Sequence, residues 1–141
     1  MLNNRWVDRM MRIREIKKIA GELKKIKEIK AVYLFGSYAM GTATPMSDID
    51  VCVVVERDIS DDKKADIVSL SSDRIDVSMF WDLPIFIRHR VLKDGKILFE
   101  RDEGFLNSVR VLTLREYFDF KPMIERFSEV YFGDKEWIER R

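Results

Sequence analysis

The sequence is poor in the side chains that most often run chemistry alone. It holds one histidine, His89, and one cysteine, Cys52, in 141 residues. A lone cysteine closes no disulfide within the chain, so a reducing, cytoplasmic setting is expected. A lone histidine argues against zinc sites and triads built on histidine, which leaves carboxylates as the expected catalytic groups. Three prolines and six glycines are few, and no repeat, low-complexity tract or linker interrupts the chain. No apolar run approaches the ~18 residues of a membrane span. Charges at Arg5, Asp8, Arg9 and Arg12 break up the start, so no secretion signal is expected. The net charge is only +1, with 36% charged and 46% hydrophobic residues. That balance belongs to a folding chain, not a disordered one, and the length suits a single domain over 1–141.

Near-neutrality hides a division. Residues 1–30 hold ten Lys/Arg against four Asp/Glu, a net +6, and residues 31–80 hold four against nine, a net −5. The basic segment reads as the solvent face of an amphipathic helix or as a surface for an anionic partner. The acidic middle reads as a solvated surface or as carboxylates awaiting metal ions.

Apolar spacing of three and four from Trp6 through Met10, Ile13, Ala20 and Leu23 predicts a helix over about 4–27 within a basic segment 1–28. Residues 31–35 form a short apolar run and 49–55 a β-branched one, both strands. A short helix is expected over 62–70 and an alternating strand over 74–80. Asp82 is the expected N-cap of a helix running to about 93, with Pro84 in its first turn. Asp94-Gly95 turns the chain into a strand over 96–99. Helices are expected over 103–119 and 122–131, with Pro122 opening the second. The fold class is therefore α+β: a sheet over 31–100 flanked by helices, and a helical end over 103–141.

The informative stretch runs from Gly36 to Asp50. Gly36-Ser37 follows a buried strand directly; a glycine there lets backbone amides approach an anion, and the hydroxyl adds a donor. A short helix starting at Ser37 would favour phosphate further. Asp48 and Asp50 stand two apart at the start of a strand, hence on one face. Paired carboxylates repel unless a cation sits between them, and oxygen ligands with phosphate suit magnesium. Asp76, between apolar Ile75 and Val77, turns away from their face and toward the other two aspartates. Three carboxylates on neighbouring strands can hold two metal ions that clamp an in-line phosphoryl displacement.

Gly-Ser, ten residues, then Asp-x-Asp resembles the signature of the DNA polymerase β-like nucleotidyltransferase superfamily. The Ser47-Asp48-Ile49-Asp50 run and the short chain resemble its minimal (MNT) branch. So do the stretches Lys93–Asp102 and Arg115–Pro122, which extends the likeness over roughly 15–123. The resemblance implies the polymerase β-like fold, with a mixed sheet. It implies that Gly36 and Ser37 hold a triphosphate, with Ser47 assisting it or orienting Asp48. It further implies that Asp48, Asp50 and Asp76 form the catalytic, metal-binding set for two Mg2+ ions. Many minimal members are antitoxins that attach AMP from ATP to a tyrosine of a helical HEPN-type ribonuclease toxin, and this is the implied activity and partner. Met40 departs from the pattern, because many members carry a basic residue there.

Three other readings remain open. A non-catalytic antitoxin would neutralise its partner by binding alone. A small-molecule nucleotidyltransferase, aminoglycoside-directed for instance, would act as a dimer. A nucleic-acid enzyme is disfavoured, because aromatics are not interleaved with the basic residues. Homo- or hetero-oligomers are compatible with all of these. Cys52 reads as a buried small hydrophobe and His89 as a surface residue. Trp6, Met10 and Met11 are expected to pack the first helix on the sheet. Phe118, Phe120, Phe127, Tyr131 and Phe132 are assigned to core packing by default, with a partner or dimer surface as the alternative.

Overall fold

The structure, a computed structural model, describes residues 4–44 and 46–140, with side-chain burial given from Trp6 onward. Residues 1–3 of the expected basic helix, and Pro45 in the Gly36–Asp50 stretch, lie outside the described residues. The elements run α1 (Asn4–Lys24), β1 (Ala31–Phe35), α2 (Ser37–Met40), β2 (Ile49–Val54), α3 (Asp61–Val68), β3 (Ile75–Met79), α4 (Ile85–Asp94), β4 (Lys96–Glu100), α5 (Glu103–Phe132) and α6 (Trp137–Arg140). No helix among the described residues is long and apolar enough to cross a membrane.

The four strands form one mixed sheet in the order β3-β2-β1-β4. β1 pairs antiparallel with β2 and β4, while β2 and β3 pair parallel. A parallel pair needs a crossover, and α3 supplies it. Ser60 caps that helix by accepting from the Lys63 amide at 3.2 Å, and Asp61 and Asp62 fill its first turn, where carboxylates favour the helix dipole.

The period of two along β2 divides the core. Ile49, Val51 and Val53 face one layer with Ile19 and Leu23 of α1 and Ile67 of α3. Cys52 and Val54 face the other, with Tyr33, Phe80, Val91 of α4, and Leu106 and Val109 of α5. Arg88 locks α4 to α5: its side chain is buried, its Nε donates to the Leu83 carbonyl at 3.0 Å, and its guanidinium reaches the Glu116 carboxylate at 3.3 and 3.4 Å.

Several expectations are corrected. Trp6, Met10 and Met11 do not pack on the sheet; they are 62%, 45% and 55% exposed. A helix of 21 residues spans ~32 Å, about twice the ~17 Å of a five-residue strand. Only its second half, from Arg12 on, reaches buried surroundings. Pro122 opens no new helix but lies inside the continuous α5. Losing one backbone donor there is outweighed by the stripe Leu106, Val109, Thr113, Tyr117, Ile124 and Ser128, buried on both sides of it. Pro84, not Asp82, occupies the N-cap of α4, and Asp82 closes a 3-10 turn over Phe80–Asp82. Phe118, Phe120, Phe127, Tyr131 and Phe132 are all exposed, so core packing is not their role. His89 is no plain surface residue: it is half-buried and stacks on Tyr117, with ring centroids 3.7 Å apart.

Candidate active site

The end of the sheet where β1 finishes and β2 and β3 begin gathers the acidic residues. Register sets Asp50 opposite Phe35 on one side and opposite Asp76 on the other. Alternation puts Asp50 on the face of Cys52 and Val54, and Asp48 stands two residues before it. The Ile49 amide, between the two aspartates, donates to the Arg74 carbonyl at 2.7 Å. That bond ties the start of β3, and Asp76 with it, to the start of β2. Asp48 and Asp76 are exposed and Asp50 is half-buried.

The Asp50 carboxyl sits above the usual aspartate range, first because burial disfavours its charge, then because Asp76 and Asp48 repel it. The three residues expected to act together therefore do share one electrostatic site. Among the described residues, no three acidic, histidine or cysteine side chains close into a ready-made metal cage. An open carboxylate set of this kind suits Mg2+, which keeps water and takes phosphate oxygens alongside one or two carboxylates.

Gly36 follows β1 at φ 71°, ψ −149°, a region essentially reserved for glycine. A Cβ built there would lie 2.5 Å from Asp50 Oδ2. Two independent constraints thus demand glycine: the turn itself and the carboxylate against it. The chain then winds into α2, with the Ala39 and Met40 amides both donating to the Gly36 carbonyl at 3.1 Å. Gly41, left-handed at φ 73°, ends that turn. Ser37 lies at its start, and Met40, 60% exposed, at its end.

Ser47 works within the loop. Its hydroxyl accepts from the Thr44 amide at 2.9 Å and lies 3.2 Å from Thr44 Oγ1, while the Ser47 amide donates to the Thr44 carbonyl at 3.0 Å. This brace closes the loop at the residue that precedes Asp48. Thr44 and the Arg74 carbonyl went unnoticed in the sequence. The Thr-x-x-Ser spacing was the available signal for Thr44, and a backbone carbonyl leaves none. Cys52 is fully buried beneath Asp50's face, and burial pushes its thiol far up, away from the reactive thiolate.

The chain is similar to known proteins. The family model described as polymerase beta, nucleotidyltransferase, matches residues 17–104. A Methanocaldococcus jannaschii protein, assigned provisionally as a protein adenylyltransferase, is 31% identical over 75 residues, which is 52% of this chain and 58% of that protein. The chain thus spans little more than half of that relative's length. A toxin–antitoxin crystal structure with AMP-PNP superposes with a TM-score of 0.62 at 21% identity, covering 79% of this chain and 94% of that one. A Shewanella oneidensis tri-AMPylated HEPN toxin in complex with an MNT antitoxin gives a TM-score of 0.56 at 18% identity, covering 79% and 94%. These solved structures share the fold. Gly36, Ser37 and all three aspartates fall inside the stretch that the family model matches, and the chain belongs to the polymerase beta nucleotidyltransferase family.

Proposed function

We propose that this chain is a Mg2+-dependent nucleotidyltransferase that moves AMP from ATP to a tyrosine hydroxyl of a HEPN-type toxin, and so acts as its antitoxin. The observation that carries the reading is the Asp50–Asp76 pairing on parallel strands, with Asp48 beside it and Gly36 held against Asp50. The names of the similar proteins, a protein adenylyltransferase and toxin–antitoxin complexes, point to the same acceptor class.

In this reading Asp48, Asp50 and Asp76 hold the cations by their carboxylate oxygens. Bound Mg2+ would neutralise the charge of the triphosphate and of the departing pyrophosphate. Gly36 and Ser37 border the triphosphate with backbone amides and a hydroxyl. Asp76, the exposed carboxylate on the neighbouring strand, takes the proton of the incoming hydroxyl. Ser47 and Thr44 keep Asp48 in place. The protein does little covalent work; it positions charged groups before the reaction.

The test uses ATP labelled at the α-phosphate, Mg2+ and lysate of the source cells, resolved on a denaturing gel. A labelled protein band is expected, and it should vanish with Asp48→Ala/Asp50→Ala, a loss above ~100-fold if several kcal/mol of charge stabilisation go. Label on a small molecule would transfer the reading to antibiotic-type acceptors. Toxin neutralised by the double variant without any transfer would sink the catalytic reading altogether.

A further inference from the structure

The helix α1 is longer than the sheet it covers, and its surplus lies at one end. The carbonyl of its last residue, Lys24, accepts from Arg101 Nη2 at 2.6 Å, just past β4 and remote from Asp50. Glu15 and Lys18 line a cleft of about 340 Å³ with Arg74 and Ile75 at the entry of β3. The residues before Glu15, ~16 Å of helix, therefore project past the sheet end that gathers Asp48, Asp50 and Asp76. At ~100° per residue, the buried Arg12, Ile19 and Leu23 mark the side turned to the body. The opposite arc is apolar at the projecting tip, with Trp6, Met10 and Ile13. Along the shaft it is basic, with Arg14, Lys17, Lys18 and Lys24. All are exposed, and the arc carries no carboxylate, because Asp8, Glu15 and Glu22 recur every seven residues along an edge toward the body. Gly21 sits amid the lysines, four and three residues after Lys17 and Lys18 and three before Lys24. A Cβ there would meet nothing within 4 Å, so the body does not require the glycine. Alanine would hold the helix better, as would fewer like charges at this spacing.

We propose, on the footing that the acceptor is a protein as in the reading above, that this face of α1 seats it, through an acceptor helix apolar over the tip and acidic over the shaft. The pattern selects such an occupant. RNA would answer the lysines but set phosphates against Met10 and Ile13. A bilayer would take the tip, but the lysines lie on the same side of the helix and would be drawn in with it. A second copy laid antiparallel over the tip leaves the lysines unmet, and one laid parallel sets them against each other. An acidic helix meets both halves, and Gly21 lets its backbone approach where a side chain would hold it off. A protein so seated stands beside the sheet end where its hydroxyl must arrive. The lysines also give an acidic partner an attractive approach to an end of the sheet that is itself acidic.

The test takes the protein that receives label in the transfer assay, purified, and follows the rate of transfer against its concentration. Trp6→Glu/Met10→Glu and Lys17→Glu/Lys24→Glu should each raise KM about tenfold or more. Saturating kcat and helix content should stay unchanged, because these side chains touch neither the core nor the carboxylates. Salt raised from about 0.05 to 0.3 M should raise the wild-type KM and narrow its gap to the lysine variant. Gly21→Leu should melt higher than the wild type yet raise KM, a combination that a structural role could not produce. Unchanged KM in the tip and lysine variants overturns the proposal, and binding of poly(U) or phosphatidylglycerol vesicles lost with the same lysines would hand the face to RNA or lipid. A fall in kcat with KM unmoved overturns it too. A wild type that labels no protein sinks the acceptor reading and this seat together, whereas transfer to a protein indifferent to α1 removes the seat alone.

Discussion

Alanine at Gly36 offers the sharpest test of the site's construction. The backbone at φ 71°, ψ −149° costs a non-glycine residue ~1–3 kcal/mol. The new methyl would also stand 2.5 Å from Asp50 Oδ2, well inside contact distance, so the carboxylate must swing away. Displacing a packed group costs another ~1–3 kcal/mol. The sum, ~2–6 kcal/mol, is a large share of the ~5–15 kcal/mol that holds a domain together. At ~3 °C per kcal/mol for this size, the melting point should fall by ~6–18 °C. A double-mutant cycle with Asp50→Ala separates the two parts. Without the carboxylate only the backbone cost remains, so Gly36→Ala should cost ~1–3 kcal/mol less in that background. Thermal and urea melts of the four proteins give both numbers. Additivity within ~0.5 kcal/mol would refute the contact and, with it, the claim that Gly36 is shaped around Asp50. Transfer activity should fail in Gly36→Ala even at temperatures where the variant is folded.

Three further outcomes follow from charge and burial. Asp50 is raised by burial and by Asp76 and Asp48, so its ionisation opposes folding. Asp50→Asn should therefore stabilise the metal-free protein at neutral pH. The advantage should close as pH falls below the ordinary aspartate value, where both states are protonated; melting curves in chelator from pH 3 to 8 check this, and a variant less stable at neutral pH would refute it. Tyr117 is pushed up to about 12 by burial and then by Glu139. The stability this gives is complete below the ordinary tyrosine value near 10 and is lost as pH rises through about 12, so Tyr117→Phe should show a flatter decline there, whereas parallel curves would count against it. Cys52, fully buried, should resist iodoacetamide in the native protein and react on unfolding in urea; alkylation at a free thiol's rate under native conditions would contradict its place under the sheet.

The parts of the fold legible in the sequence were those set by local periodicity. Four of the six residues 49–54 are β-branched because β2 is central and covered on both faces, and that density announces a strand. What stayed hidden was set by reach. The apolar spacing from Trp6 to Leu23 predicts a helix correctly, yet it cannot say that the sheet is too short to cover its first half. Pro122 reads as a boundary because proline removes a donor; the stripe that runs past it to Ser128 matters more, and its value appears only when α4 and α6 are in place. α6, four residues long, has no period to detect. It is held by Arg90, which donates to the Ile138 and Glu139 carbonyls at 3.0 and 3.1 Å, a partnership 48 residues apart.

The site divides along the same line. Asp48 and Asp50 could be grouped from spacing alone, because a strand's period of two is a local fact. Asp76 could be added only by guessing which way its strand ran. An antiparallel β3 in some other register would have carried it elsewhere; the parallel register Asp50↔Asp76 brings it in, and α3, by supplying the crossover, makes that register attainable. The Gly36 contact was beyond reach altogether, since the motif shows a glycine without showing what a side chain there would strike. Its meaning is electrostatic as much as steric. The chain spends a glycine to seat a half-buried carboxylate against backbone, with two more carboxylates in its field, an arrangement unfavourable to the isolated protein. Stability alone would select against it, and the proposed divalent cation, arriving with a triphosphate, would turn that repulsion into binding.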